Sequence, residues 1–341
     1  MIKEEKKTIL FYSSVKSKKM FSIQKFYKTD ISILKDLGYR VSLSNSMFDY
    51  LLFWKYDIAF IYFYRYGLIP AIISKFFRKK VVITGGIDFL DKDYAKKKAY
   101  LIQKLFFRLC IIFSDKNIIV SNADLKNIKT FKPKLDQNKF PISFHVIEYD
   151  KFVIDNVNKK EKIITTIAWM GNVENVTRKG IDKAIFLFKE IHDLDNDFRM
   201  LIIGPQGKGS DFIREIIREN QLDNLITLTG AVSEEDKISI LKRSLIYAQL
   251  SIYEGFGIAA VEALASGNIV VHTNVGGLTD GIANNGLIAA KDLKSTVRQI
   301  FSLLDNDKEY QMFLNNGLSH VSENFRYEKR LEDFKKIFLS M

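Results

Sequence analysis

Two glutamates, Glu254 and Glu262, stand eight residues apart in the segment 250-LSIYEGFGIAAVEALASG-267. Glu254 opens a Gly-Phe-Gly turn, and Glu262 falls two turns into the helix expected over 257–266. Carboxylates accept hydrogen bonds from paired sugar hydroxyls. The amides of Phe256, Gly257 and Ile258, at the start of that helix, form a ready anion site. Eight residues are a little over two helical turns, so the carboxylates lie roughly a nucleotide's length apart on neighbouring faces. Hydroxyls at both ends and phosphate between them is the chemistry of a nucleotide sugar. A Glu-x7-Glu pair is common by itself. It gains meaning here because the strand, the EGFG turn, a small-residue helix and the closing Ala265-Ser-Gly267 occur together.

These residues need a scaffold of strands and helices, and the chain alternates them twice. In the first half, apolar runs at 8–13, 40–43, 57–63, 80–84 and 117–120 read as strands. Helices are expected at 23–37, 68–77 and 95–113, and a capped helix from Ser121. The second series has strands at 162–170, 198–204, 225–228, 245–250 and 269–273. Its helices are expected at 180–194, 211–220, 233–243 and 257–266, with Ser233 and Asp236 spaced as a capping box. Near-continuous apolar strands between helices imply parallel sheets covered on both faces. Two such domains in tandem place ligands in a cleft at the carboxyl ends of their strands. Residues 1–157 are read as the N-terminal domain, with an irregular link over 133–162. Residues 158–322 are the C-terminal domain, and 323–341 a final helix crossing back to the first.

Bulk composition narrows the classes. A chain of 341 residues favours two domains over one. A single cysteine, Cys110, excludes a disulfide framework and fits a reducing compartment. The N-terminal apolar run is too short for a signal-peptide core. Residues 58–77 are broken by Arg65, Gly67 and Pro70, so they read as strand and helix, not a membrane span. The net charge of +12 is uneven: residues 1–150 hold 28 Lys+Arg against 14 Asp+Glu, and the remainder is slightly acidic. The first domain is therefore the one suited to an anionic partner. Over 95–113, Leu101, Leu105, Leu109 and Ile112 form an apolar stripe and Lys97, Lys104 and Arg108 a basic one. Such a helix packs on the sheet with a solvated face or lies on an anionic membrane. No nucleic-acid motif accompanies the charge. The four histidines are scattered without metal-ligand spacing, and of the Asp-x-Asp triplets at 91, 195 and 305 two read as loop or helix-end residues, such short triplets arising by chance. Residues 204-GPQGKG-209 match neither phosphate-loop pattern and read as a flexible loop.

Residues 251–286, including 269-IVVHTNVGGLTDGI-282, resemble the donor-site signature of the family 4 (group 1) retaining glycosyltransferases. The resemblance implies the GT-B fold, two Rossmann-like α/β domains with parallel sheets facing a central cleft. It implies that Glu254 contacts the transferred sugar and Glu262 the ribose hydroxyls. The segment Trp169-Met-Gly171-Asn172…Thr177-Arg178-Lys179-Gly180 is similar to the family's phosphate loop. Lys179 then holds the diphosphate, with Asn172 where an arginine is usual and Arg178 as a substitute cation. Ala231 and Val232 fall in the base-contacting loop. In the first domain Gly85-Gly86-Ile-Asp88 stands where many relatives carry His-Gly. Arg65 and Asp88 are the acceptor-binding candidates there, with Asp88 equally readable as a turn residue. The implied activity is retaining transfer of a hexose-type sugar from a nucleotide diphosphate sugar to a glycan or lipid-linked acceptor, in bacterial surface polysaccharide or glycolipid synthesis. No metal and no cofactor beyond the donor is implied. The expected setting is the cytoplasm, peripheral at the inner face of the membrane. A nucleotide-sugar epimerase of the same fold and a catalytically silent nucleotide-sugar-binding or membrane-scaffold protein are the rival readings.

Overall fold

The computed structural model describes residues 6–154 and 160–341, so the expected boundary at 157 and 158 and part of the expected link lie outside the described residues. The chain forms two compact units. The first runs to Val146 and takes back Tyr327–Met341, and the second is Ile147–Arg326.

The first unit holds strands β1 (Thr8–Tyr12), β2 (Arg40–Ser44), β3 (Ile58–Tyr62), β4 (Lys80–Thr84) and β5 (Lys116–Ile118). They form a wholly parallel sheet in the order β2-β1-β3-β4-β5. Its helices are α1 (Met20–Ile23), α2 (Lys25–Asp36), α3 (Tyr64–Phe76), α4 (Lys97–Phe113) and α5 (Asn122–Lys129). Successive strand residues serve opposite faces. Leu10, Tyr12, Ile61 and Ile83 join a core with Phe107 and Cys110 of α4. Ile9, Phe11, Phe60 and Val82 join another with Ile33 and Leu34 of α2.

The second unit opens with α6 (Tyr149–Phe152). Strands β6 (Glu161–Ile167), β7 (Arg199–Ile203), β8 (Ile226–Gly230), β9 (Ser244–Gln249), β10 (Ile269–His272) and β11 (Leu287–Ile288) form a parallel sheet in the order β11-β10-β9-β6-β7-β8. The helices are α7 (Val173–Lys179), α8 (Ile181–His192), α9 (Lys208–Glu219), α10 (Glu234–Arg243), α11 (Ile258–Ala265), α12 (Leu278–Gly281), α13 (Leu293–Leu304) and α14 (Asp307–Asn324). Strand order reverses between β6 and β9: β6 leads outward to β7, whereas β9 leads the other way to β10. The loops leaving β6 and β9 therefore diverge at their carboxyl ends, the switch point where open α/β sheets leave a crevice.

The last helix, α15 (Tyr327–Leu339), belongs to the first unit. Phe334, Ile337 and Phe338 complete the core beside α2.

Three elements differ from the sequence reading. Helix α3 begins at Tyr64, not at 68, and takes in Gly67 and Pro70, which had been read as interruptions of the apolar run. Residues 173–179, read as loop, form α7, whose sequence VENVTRK offers no apolar period. On α4 the buried residues are Tyr100, Gln103, Phe107 and Cys110, while Leu101, Leu105 and Ile112 face outward.

Candidate active site

The donor-side residues assemble at the switch point of the second unit. Asn172 caps α7, its side chain accepting from the Asn175 amide at 2.7 Å. At the other end Gly180 takes a left-handed φ of +68°, and a Cβ there would overlap the Leu250 carbonyl. That contact seats the end of α7 on the chain leaving β9. The Ile252 amide donates to the Arg178 carbonyl at 2.8 Å. Lys179 thus ends α7, where a cation is favoured, and directly precedes Gly180, the N-cap of α8, so it also stands at the helix start that its sequence context suggested.

This docking brings Lys179 Nζ to 2.5 Å from Glu254 Oε2, with both side chains largely buried. The same carboxylate oxygen accepts from Gln249 Nε2 at 2.7 Å, and Gln249 Oε1 accepts from the Tyr247 hydroxyl at 3.0 Å. Gln249, the last residue of β9, was not singled out from sequence; the signal available was a polar residue ending an otherwise apolar strand, five positions before Glu254. The loop after β10 closes over the site. The Gly277 amide donates to the Glu254 carbonyl at 2.7 Å, and side chains at Gly276 or Gly277 would overlap the backbone of Glu254 and Gly255. The two glycines allow that approach.

Glu262, on α11, is 1% exposed and pairs with Lys237 of α10 at 2.7 Å; Lys237 also reaches Glu234 at 3.1 Å. Lys237 is a second residue that sequence reasoning missed. The Tyr247 phenol, buried among these groups, is held far above its ordinary pKa by burial first, then by the charges of Glu254 and Glu262. Phe256 is buried against Phe325, and Gly257 is the N-cap of α11, so the helix starts at Ile258.

Other expected residues stand apart. Arg178 is held by the Tyr253 carbonyl at 3.3 Å and Asn175 Oδ1 at 2.8 Å, a contact that fixes the loop before Glu254. Gly171 lies against the loop 204–209, which is tied down: the Met170 amide donates to Pro205 and the Gly209 amide to Met170. This loop had been read as flexible; its backbone pairing with the neighbouring loop explains the difference. Ala231 and Val232 follow β8, the edge strand two places from β6. Among the described residues no group of three or more His, Cys, Asp or Glu side chains is placed to hold a metal ion.

In the first unit, Arg65, Gly86 and Asp88 line one cavity of about 580 Å³, together with Phe63, Lys98 and Gln103. Gly85 precedes this wall in the turn after β4. Gln103 is 5% exposed, and its Nε2 has no hydrogen-bond partner. Phe63, leaving β3, holds a φ of +73°, a strained conformation of the kind that clusters at ligand sites.

A family model described as glycosyl transferases group 1 matches residues 150–320, which include all the donor-side residues. An uncharacterized glycosyltransferase of Methanocaldococcus jannaschii is 26% identical over 294 residues, covering 81% of this chain and 72% of that protein. The Escherichia coli UDP-Gal:alpha-D-GlcNAc-diphosphoundecaprenol alpha-1,3-galactosyltransferase is 23% identical over 323 residues, covering 92% and 81%. Among solved structures, the Anabaena protein HepE in complex with UDP superposes with a TM-score of 0.77 at 14% identity, covering 99% of this chain and all of that one; the likeness is one of fold. Two parallel α/β units in tandem, with a matching family model over the second, make this chain a GT-B-fold glycosyltransferase that belongs to the group 1 glycosyl transferases.

Proposed function

We propose that the protein transfers a hexose-type sugar, with retention of anomeric configuration, from a nucleotide diphosphate sugar to a glycan or lipid-linked acceptor. The observation that carries this reading is the Lys179–Glu254–Gln249 cluster at the carboxyl end of β9. Lys179 pairs with Glu254 and neutralises it. A diphosphate entering the crevice competes for the ammonium and releases the carboxylate to the hydroxyls of the donor sugar. Gln249 keeps that carboxylate oriented. As the bond from the anomeric carbon to the diphosphate oxygen breaks, charge grows on the leaving nucleotide, and Lys179 stabilises it in a site shielded from water. The acceptor hydroxyl attacks the face the diphosphate vacates and passes its proton to the departing phosphate oxygen, so configuration is retained.

The first helical turn of α11 offers amides to the sugar or diphosphate, and Glu262 serves the ribose hydroxyls once they displace Lys237. The cavity containing Arg65, Gly86 and Asp88 takes the acceptor. Lysine performs the electrophilic role, so the reading requires no metal and no cofactor beyond the donor. A relative that acts on a diphosphoundecaprenol acceptor and the basic first unit support a membrane-borne acceptor, with the enzyme at the cytoplasmic face.

The test is turnover by purified protein against a panel of nucleotide sugars, with and without chelator, and with the product anomer read by NMR. Glu254→Ala and Lys179→Ala must abolish turnover; unchanged rates would sink the assignment. A second reading, donor binding without transfer, draws on Asn172 acting as a helix cap where a cation is usual. Calorimetric donor binding with no turnover on any lipid acceptor would favour it. Nucleotide release only in the presence of acceptor would exclude an epimerase.

A further inference from the structure

Of the 21 large hydrophobic side chains exposed among the described residues, 12 lie between Phe48 and Ile112, so the exposed apolar surface is concentrated, not scattered. Its centre is the pair α3 and α4. Strands β3, β4 and β5 are consecutive in the sheet, and α3 and α4 are the two crossovers joining them. Crossovers of one hand put both helices on the same side of the sheet, side by side. Each turns a stripe at helical spacing to solvent. On α3 it is Tyr66, Ile69 and Phe76, and on α4 it is Leu101, Leu105 and Ile112; all six are at least half exposed. A face of this kind on a monomer marks an interaction site.

Charge identifies the occupant. Neither α3 nor α4 contains an aspartate or glutamate, whereas they carry Arg65, Lys75, Lys97, Lys98, Lys104 and Arg108. Lys75 is paired with Asp115 at 2.6 Å. Lys97 and Arg108 are exposed beside the apolar stripe of α4. Pairing this face with a second copy of itself would juxtapose like charges, which costs affinity. A nucleic acid has no use for aliphatic stripes two helices wide. An anionic bilayer accepts both components, since apolar side chains enter the headgroup boundary while lysine and arginine meet lipid phosphate. No described helix is long and apolar enough to cross a membrane, so the contact is one of surface docking.

The cavity adds a second observation. It opens at the N-terminal ends of the same two helices, lined by Arg65 and Tyr66 from α3 and by Lys98, Ile102 and Gln103 from α4, with Lys96 beside them. Three cations outnumber the one carboxylate, Asp88, in the lining, and an apolar wall adjoins the buried Gln103, whose Nε2 has no hydrogen-bond partner. We propose that the outer face of α3 and α4 docks on an anionic lipid bilayer, and that the adjoining cavity takes the phosphate-bearing headgroup of an acceptor anchored in that bilayer. The headgroup assignment rests on the transferase reading; the docking surface does not.

The experiment is sedimentation of the full chain with vesicles of phosphatidylcholine alone and of phosphatidylcholine with phosphatidylglycerol. The wild type is expected to pellet only with the anionic vesicles. Ile69→Glu with Leu105→Glu should leave it in the supernatant, and Lys97→Ala and Arg108→Ala should each weaken partitioning about fivefold. Circular dichroism melts confirm that these surface variants fold. Binding equal to wild type in the double variant overturns the docking face. So does a dimer, seen by light scattering, that the double variant disperses. For the cavity, calorimetry with a short-chain phosphatidic acid below its micellar concentration should show binding that Lys98→Ala weakens and the Ile69/Leu105 variant keeps. Binding of inorganic phosphate with equal affinity, or no effect of Lys98→Ala, overturns the headgroup assignment. Calorimetry with a nucleoside diphosphate in the absence of vesicles tests the donor site separately, so failure there leaves the docking result intact.

Discussion

Lys179 and Glu254, 75 residues apart in sequence, share a contact of 2.5 Å between the ammonium and the carboxylate. The two groups expected to grip opposite parts of one ligand instead neutralise each other. In the proposed reaction an incoming diphosphate must break this charge-balanced pair. It keeps a largely buried carboxylate from standing unpaired.

Lys179→Met should lower kcat by about 10²–10³, the range for removing one group that stabilises developing charge. The fold should survive, because Glu254 keeps its hydrogen bond from Gln249. A loss of about 1–2 kcal/mol in stability is expected from the missing charge-assisted bond. Initial rates at saturating donor and a urea titration check the two parts independently. A large stability loss with no change in kcat would make the pair structural.

Gln249→Leu tests orientation. Gln249 does not meet the donor in this reading; it holds Glu254 while Tyr247 holds it. The variant is expected to reduce kcat about tenfold with less effect on nucleotide affinity, as a misplaced catalytic group does. Tyr247→Phe acts through the same chain, so adding it to Gln249→Leu should cost much less than the sum of the single effects. Additive losses would mean that the three residues do not form one relay.

Residue types and spacing carried much of this site. The parallel strands were visible as apolar runs, and Glu254, Glu262, Lys179 and the Gly276-Gly277 loop lie on local motifs. What sequence could not give depends on contacts across the sheet. Lys237 reaches Glu262 from a helix 25 residues upstream, and no local pattern records that pairing. Helix α4 misled for a different reason. Both of its faces are apolar, one with Leu101, Leu105 and Ile112 and the other with Tyr100, Phe107 and Cys110. Periodicity locates stripes but does not say which of two the sheet will take. The aromatic-and-small stripe won the sheet, which left the aliphatic one outside.

Arg330→Met should destabilise the first unit by about 3–5 kcal/mol, the range for stranding one half of a buried ion pair. Arg330 is 1% exposed and binds Asp30 through both Nε, at 2.7 Å, and Nη2, at 2.9 Å; Asp30 also accepts from Tyr62 at 2.5 Å. Further bonds run to the carbonyls of Ser143 and Phe144. The pair fastens α15 to α2 over 300 positions of sequence. Asp30→Asn with Arg330→Met removes both charges and should be less damaging than Arg330→Met alone. Urea unfolding of the three proteins decides; equal stability of wild type and Arg330→Met would show that the clamp contributes nothing.

His272 gives the protein an acid-sensitive step. It ends β10 fully buried, with its ring Nδ1 accepting from the Asn274 amide at 3.3 Å. Burial pushes its pKa down from 6.5 to about 4. Between those values the unfolded chain binds a proton that the folded chain refuses, so stability falls as pH drops from 6.5 towards 4 and this contribution levels off below that. Above pH 6.5 both states are neutral and the residue adds no pH dependence. From pH 7 to pH 5 the expected loss from this histidine is about 2 kcal/mol, at about 1.4 kcal/mol per pKa unit. His272→Asn keeps an acceptor near Nδ1 and removes the titration. Its stability should therefore depend less on pH over this interval, whatever its absolute value at pH 7. Urea midpoints for both proteins at pH 5 and pH 7 measure the difference. Parallel shifts in the two would show that the folded state accepts the proton at His272 after all, with the Nδ1 acceptor bond broken and strand β10 adjusting around a charged ring.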